Sequence, residues 1–339
     1  MRIALLRLSA LGDVLRVLPA WANLGAAFPG ARFQAVVEDR HAFLLEPMPW
    51  LEPVVVARRA LGRPWSALGE LKRVAAQVRC EVSLDFHGIL KSALIPRLAG
   101  IPERWGDGAT REGARLLQTH PLEPRRQSRY DQALGLAEAF GASRGVPGLG
   151  RFRPALRDAE LPEAPVWEAG GPRLVLVPGA SRRGAIKRWP LRHWIALAGM
   201  LKGRFQMRWS LGPEEADLRA WLPAATGVPA LPECDLWTLA SALRQADRVI
   251  APDTGLLHLA VLLGVPVTGL FGGSDPVVAG LPLGAGRILR TGIECSPCRE
   301  RLCQRRDCLE GLAPELVRAS LDARGRCRPC GPPGRCPCP

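Results

Sequence analysis

The chain has 339 residues, which is more than one ordinary domain holds and about right for two. Its 47% hydrophobic and 23% charged residues exclude disordered and fibrous proteins. The formal net charge of +14 indicates either an anionic partner or a coding bias, since only four of the 46 basic residues are lysine.

The first half of the chain alternates between predicted strands and helices. Apolar runs predict strands at residues 3–8, 33–37, 54–56 and 82–85. Helical periodicity predicts a helix that ends near residue 24 and further helices at 64–78, 89–99 and 131–140. Strands that alternate with helices of this length are typical of parallel βαβ units.

The same alternation restarts after a segment rich in glycine and proline. We expect strands at residues 174–177, 206–210, 249–250 and 265–270, and helices at 190–201, 214–222, 236–245, 255–263 and 314–323. The division this predicts is a domain at 1–150, a linker at 151–171, a domain at 172–324 and a disordered tail at 325–339. The predicted fold is α/β, with two doubly wound, Rossmann-like domains that face a central cleft, where a ligand would bind.

Several protein classes are excluded by what the sequence lacks. No run is apolar enough to span a membrane, and charged residues interrupt the N-terminal apolar run, so we expect no signal peptide and a cytoplasmic location. No Gly-x-Gly-x-x-Gly and no Walker A loop occur, and the missing Asp-x-Asp argues against a metal held by such a pair. Nucleic-acid binding is not expected, because no basic stripe with interleaved aromatic residues is present.

Three candidate sites follow strands or lie in loops beside them. Asp13 begins a helix, where a carboxylate can act as a general base or simply complement the helix dipole. Asp253, Thr254, Gly255 and His258 follow another strand, where a helix N-terminus can bind phosphate; alternatively Asp253 is an N-cap and His258 a core residue. Lys187 could neutralise a leaving diphosphate or be an ordinary exposed lysine.

These candidates lie in segments that resemble the ADP-heptose lipopolysaccharide heptosyltransferases, glycosyltransferase family nine. The resemblance runs in order from residue 1 to about 320. The matching segments are RLSALGDV (7–14), LPA (18–20), LDFHGILKSA (84–93), PGAS (178–181), KRWP (187–190), DTGLLHLA (253–260) and LFGGSDP (270–276).

The resemblance implies a GT-B fold in which the first domain binds the acceptor and the second binds ADP-heptose. It implies that Asp13 is the base of an inverting transfer, that Lys187 stabilises the departing ADP, and that no cofactor is required for catalysis. The implied donor-binding residues are Ser181, Glu214, Asp253, Thr254, Gly255 and His258, with Glu215 as the alternative to Glu214.

The acceptor implied by the resemblance is an anionic glycolipid, Kdo-lipid A or a heptosylated core, at the cytoplasmic face of the inner membrane. Its predicted contacts are Arg58, Arg59, Arg63 and Arg111, while Arg115, Arg125, Arg126 and Arg129 are expected on a solvated surface. Two alternatives remain open: a protein O-heptosyltransferase acting on Ser or Thr, and a nucleotide-sugar-binding protein without catalysis.

A cysteine cluster near the C-terminus suggests a further site. Cys295, Cys298, Cys303 and Cys308 could hold a structural zinc or iron, although metal knuckles more often contain two Cys-x2-Cys pairs. Reduced structural cysteines or a regulatory disulfide are the alternatives.

Overall fold

The computed structural model describes residues 1–108, 110–125, 127–142, 155–164, 166–168, 170–180, 182–298 and 303–322, with only the backbone at 182 and 183. In these ranges the chain forms two parallel sheets with helices on their faces. The α/β fold class predicted from the alternation is confirmed. The predicted linker is described only in part, and the predicted tail lies outside the described residues.

The first sheet has six strands in the order β3-β2-β1-β4-β5-β6. Its strands are β1 (Arg2–Leu6), β2 (Arg32–Glu38), β3 (Leu51–Val56), β4 (Val82–Asp85), β5 (Glu103–Gly106) and β6 (His120–Pro121). The helices of this half are α1 (Leu11–Ala27), α2 (Pro64–Gln77), α3 (Leu90–Leu98) and α4 (Arg129–Phe140).

The second sheet has five strands in the order β11-β10-β9-β7-β8. Its strands are β7 (Arg173–Leu176), β8 (Gln206–Trp209), β9 (Arg248–Pro252), β10 (Val267–Leu270) and β11 (Gly286–Leu289). The helices of this half are α5 (Leu191–Leu201), α6 (Ala216–Thr226), α7 (Leu236–Arg244), α8 (Gly255–Leu262), α9 (Asp307–Glu310) and α10 (Pro314–Asp322).

The central strands are buried on both faces. In β1 every side chain from Ile3 to Leu6 is inaccessible to solvent, as expected where helices cover both sides of a parallel sheet. Their apolar runs therefore predicted the strands well. The strands that the prediction missed are β5, β6 and β11, which lie at or next to a sheet edge and contain polar residues.

The two halves pack directly against each other. One continuous apolar core contains buried side chains of both, including Leu15 in α1 and Leu257 in α8. The indole N–H of Trp237 in α7 also donates to the carbonyl of Phe43, at 3.1 Å. Because β1 and β9 both end at this junction, the loops that follow them lie in the same cleft.

Candidate active site

A cavity of about 420 Å³ lies between the two halves. Both halves line it, with the start of α1 on one side and the loops after β7, β8 and β9 on the other. The predicted residues among its lining are Asp13, Lys187, Glu214, Asp253, Thr254, Gly255 and His258. The fold thus brings together residues that lie up to 245 positions apart in the sequence.

The N-termini of α1 and α8 meet at the floor of this cavity. A Cβ added to Gly12 would lie 3.6 Å from the Cα of Gly255, and one added to Gly255 would lie 2.7 Å from Cδ2 of Leu11. The contact at Gly12 would be an ordinary one, whereas a side chain at residue 255 would clash with Leu11, so glycine at 255 permits the close approach. Helix N-termini carry partial positive charge and unpaired backbone N–H groups, so two of them side by side favour a bound anion.

Asp13 is surrounded by three arginines. Its carboxylate pairs with Arg7 at 2.9 Å and Arg16 at 3.0 Å, and Arg129 lies 3.6 Å away. Burial raises the pKa of Asp13, but the charges of Arg7, Arg129 and Arg16 outweigh it and lower the pKa to about 2. The side chain keeps about a quarter of its surface exposed. It is therefore an ionised carboxylate that a ligand in the cleft can reach.

Asp253 is the centre of the donor-side network. Its Oδ2 accepts from Lys187 and from the Ser274 hydroxyl, both at 2.7 Å, and Lys187 also donates to the Asp253 carbonyl at 3.1 Å. Its Oδ1 accepts from Arg16 at 3.0 Å. Burial raises the pKa of Asp253, but the hydrogen bond from His258 and the neighbouring cations lower it overall. Asp253 therefore holds Lys187 at the cavity wall.

The two residues that follow Asp253, Thr254 and Gly255, also line the cavity. Thr254 precedes the first turn of α8, and its hydroxyl is buried without a hydrogen-bond partner among the described residues. A buried hydroxyl normally has a partner, so this one is available to a ligand. Gly255 supplies the first helical residue of α8 and its open N-terminus.

His258 is buried and links three helices. Its Nε2 lies 2.5 Å from Nη2 of Arg16, and its Nδ1 lies 3.0 Å from the hydroxyl of Tyr130 in α4. Burial, together with the charge of Arg16, lowers the pKa of His258 to about 4, so the imidazole is neutral at neutral pH. His258 is thus built into the packing between the two halves.

The two glutamates just before α6 have different surroundings. Glu215 is buried, pairs with Arg188 at 2.8 Å and accepts from the backbone N–H of Gly212 at 3.1 Å. Glu214 is exposed and also lines the cavity. Glu215 therefore shapes the loop, while Glu214 has the accessible carboxylate.

The predicted acceptor arginines lie outside the cavity. Arg58 and Arg59 follow β3, Arg63 precedes α2, and Arg111 follows β5; all four are exposed. They lie at the carboxyl edge of the first sheet, the edge at which Asp13 also follows its strand. Ser181 lies outside the described residues.

The four cysteines predicted to hold a metal are all among the described residues. Within the described ranges, no group of three or more His, Cys, Asp or Glu side chains could hold a metal ion. Cys295, Cys298, Cys303 and Cys308 are free thiols. Cys308 and Cys298 pack beside Gly272 and Gly273 after β10. The structural zinc or iron at these cysteines stays a prediction.

Sequence reasoning missed four residues of the site: Arg7, Arg16, Tyr130 and Ser274. Arg129, expected on a solvated surface, lies beside Asp13 instead, because α4 packs its N-terminus at the junction of the halves. The spacing of Asp13 and Arg16, one helical turn apart, was the one local signal available.

The geometry sets a carboxylate opposite a lysine and two helix N-termini in a cleft between two Rossmann-like halves. That arrangement suits transfer of a group from a diphosphate donor to a hydroxyl. Together with the two Rossmann-like halves, it is the arrangement expected of a GT-B glycosyltransferase. Residues 69–308 match glycosyltransferase family 9 (heptosyltransferase). The chain belongs to this family, and it is a glycosyltransferase.

Individual relatives agree with this assignment. The chain is 30% identical over 328 residues to lipopolysaccharide heptosyltransferase 1 of Pseudomonas aeruginosa, covering 89% of this chain and 87% of that protein. The structure of the E. coli heptosyltransferase WaaC with ADP superposes with a TM-score of 0.75 at 25% identity, covering 95% and 99% of the two chains. WaaC with ADP-2-deoxy-2-fluoro heptose gives a TM-score of 0.74 at 24% identity, with the same coverage.

Proposed function

We propose that this protein transfers heptose from ADP-heptose to an inner-core sugar of lipopolysaccharide, with inversion at the anomeric carbon and without a catalytic metal. The observation that carries the proposal is the placement of Asp13 opposite Lys187 and the α8 N-terminus in one cavity. The relatives support the substrates, since one bears the name of a lipopolysaccharide heptosyltransferase and another binds an ADP-heptose analogue.

Asp13 is the proposed base. As the acceptor hydroxyl attacks the anomeric carbon, the bond from that carbon to the diphosphate oxygen breaks and the hydroxyl proton moves to Asp13. A carboxylate of pKa about 2 is a weak base in the resting cleft. It can still accept the proton late in the reaction, because the attacking oxygen becomes strongly acidic as its bond to carbon forms.

Lys187 is the proposed electrostatic partner of the departing ADP. Two hydrogen bonds hold its ammonium on Asp253, and a lysine has three donors, so one remains for a diphosphate oxygen. The adjoining N-terminus of α8 supplies backbone N–H groups to the same charge. Positive charge aimed at the leaving group lowers the barrier without a metal ion.

The remaining donor contacts are assigned by their accessibility. Thr254 has a buried hydroxyl that is free among the described residues, and Glu214 has an exposed carboxylate suited to ribose hydroxyls. Gly255 leaves room for the diphosphate, while Asp253 and His258 hold the loop in place. Ser181 remains the proposed hydroxyl near the diphosphate.

We propose that the acceptor approaches from the carboxyl edge of the first sheet. Arg58, Arg59, Arg63 and Arg111 would bind the carboxylates and phosphates of Kdo-lipid A. Trp65, at the start of α2, is 85% exposed, and Leu116, between β5 and β6, is 88% exposed. Exposed apolar side chains among arginines are suited to an anionic bilayer, where tryptophan favours the interface. None of the helices described here is long and apolar enough to cross a membrane.

The transfer assay is the first test. Purified protein is given ADP-heptose and Kdo-lipid A, with Asp13→Ala and an EDTA-treated sample in parallel. We expect product from the wild type, none from the variant and no effect of EDTA. Loss of product with EDTA would refute the metal-free mechanism. ADP-heptose binding without transfer would refute this acceptor and direct the assay to heptosylated cores and then to Ser- or Thr-containing proteins.

A second assay tests the membrane contact. Sedimentation with vesicles containing phosphatidylglycerol should fall for Trp65→Ser and Leu116→Ser relative to the wild type. Leu283→Ser is the matched control, since Leu283 is also 88% exposed but belongs to the second half. Equal binding by all four proteins would refute the proposed contact surface.

A further inference from the structure

Arg16 occupies a place in the cleft that neither the predicted base nor the predicted donor residues explain. It lies in α1 one turn after Asp13 and is buried at the junction of the two halves. Its Nη1 donates to Oδ1 of Asp13 at 3.0 Å, while its Nη2 donates to Oδ1 of Asp253 at 3.0 Å. One guanidinium therefore joins the acceptor-side carboxylate to the donor-side loop.

The same guanidinium also contacts His258. Nε2 of His258 lies 2.5 Å from Nη2 of Arg16 and 3.3 Å from Oδ1 of Asp253. Its Nδ1 lies 3.0 Å from the hydroxyl of Tyr130. The connected chain of contacts runs from α1 through α8 to α4.

Other cations near the two carboxylates each contact one side. Arg7 and Arg129 pair with Asp13, and Lys187 pairs with Asp253. Among the described residues Arg16 is the one that pairs with both. The planar fork of arginine makes this possible, because it presents two nitrogens in fixed geometry, whereas lysine presents a single charged nitrogen.

We propose that Arg16 is a positioning residue that sets the span between Asp13 and the donor loop at Asp253 and His258. This inference rests on the proposed function for Asp13 and the donor loop. Transfer requires the acceptor oxygen, held by Asp13, to lie within reach of the anomeric carbon of a donor held by the other half. A bridge that fixes the two halves at one separation keeps that geometry.

The test compares Arg16→Met, which keeps the apolar stem, with Arg16→Lys, which keeps the charge. Arg104→Met is the matched control, since Arg104 binds the backbone carbonyls of Leu117 and Ile101 away from the cavity. We expect Arg16→Met to lower kcat on the order of 10²-fold, with much smaller changes in the KM for ADP-heptose and the Kd for ADP. Arg16→Lys should recover little of the loss, and the control should keep wild-type kcat.

A substrate-free measurement accompanies the kinetics. Hydrogen exchange of the hydrogen-bonded backbone amides in α1 and α8, beyond their first turns, should be faster in both Arg16 variants than in the wild type and the Arg104 control. This readout does not depend on turnover, so it tests the bridge even if the wild type fails to use ADP-heptose, which would refute the proposed function instead.

Three results would overturn the inference. Full recovery of kcat by Arg16→Lys would mean that charge suffices and bridging does not matter. If Arg104→Met lost as much kcat and as much melting temperature as Arg16→Met, the loss of any arginine would act through stability. Unchanged exchange in α1 and α8 would mean that Arg16 does not hold the halves together.

Discussion

Replacing Asp13 with asparagine should destabilise the fold as well as stop catalysis. The Asp13 carboxylate pairs with Arg7 and Arg16 and lies near Arg129, and these charges outweigh the effect of burial to lower its pKa from 3.8 to about 2. This lowering of the Asp13 pKa corresponds to about 2 kcal/mol of stability at neutral pH. Asparagine keeps the shape of the side chain but leaves the three arginines without their shared counter-ion.

The pH dependence gives the sign of this contribution. The folded-state pKa of Asp13 is depressed, so its contribution is fully present above the unfolded pKa of about 3.9. It is lost as the pH falls through the folded pKa of about 2. The difference between wild type and Asp13→Asn should therefore be largest at neutral pH and shrink below about pH 4.

Urea unfolding across this pH range measures the difference. Asp158→Asn is the control, since Asp158 is exposed on the surface. It should match the wild type at every pH. If Asp13→Asn were as stable as the wild type at neutral pH, the arginines would not be stabilising the carboxylate, and the assignment of its low pKa to them would be wrong.

Three further variants test other parts of the structure. Lys187→Met should lower kcat by about 10²- to 10³-fold in the transfer assay, because it removes charge aimed at the leaving group; an effect on KM alone would contradict that role. Gly179→Ala should lower the free energy of unfolding in urea by about 1–3 kcal/mol, because its Cβ would lie 2.4 Å from the Glu215 carboxyl carbon. Gly199→Ala in α5 is the control, since its Cβ would meet no atom within 4 Å, and it should not destabilise the protein. Burial raises the pKa of Asp85 to about 6. As the pH rises from about 4 through 6, the free energy of unfolding of the wild type should therefore fall by up to about 3 kcal/mol relative to Asp85→Asn. Parallel curves of stability against pH for the two proteins would refute this.

The sequence was most informative where burial is complete. Central strands such as β1 and β9 are covered on both faces, so their apolar runs stand out in the sequence. The strands β5 and β11 have partly exposed side chains and contain arginine, so no apolar run marks them. Their pairing comes from neighbouring strands that are distant in sequence, which local patterns do not record.

The same limit applies to the site. Asp13 and Gly255 could be found because each follows a predicted strand, where the sheet edge places its side chain or backbone in the cleft. The contact between Arg16 and Asp253 spans 237 positions in the sequence, and no periodicity predicts it. Arg129 was assigned wrongly for a related reason, since its role depends on how α4 packs against the second half.

The charges around Asp13 and Asp253 explain why this cleft suits a diphosphate donor. Among the described residues, four cations, Arg7, Arg16, Arg129 and Lys187, lie within 4 Å of these two carboxylates. His258 is neutral at neutral pH and adds no charge. The group therefore carries an excess of two positive charges, which matches the two negative charges of a sugar-linked diphosphate. When the bond to the sugar breaks, the leaving diphosphate gains negative charge in a partly desolvated cleft, where these fixed cations act more strongly than they would in water.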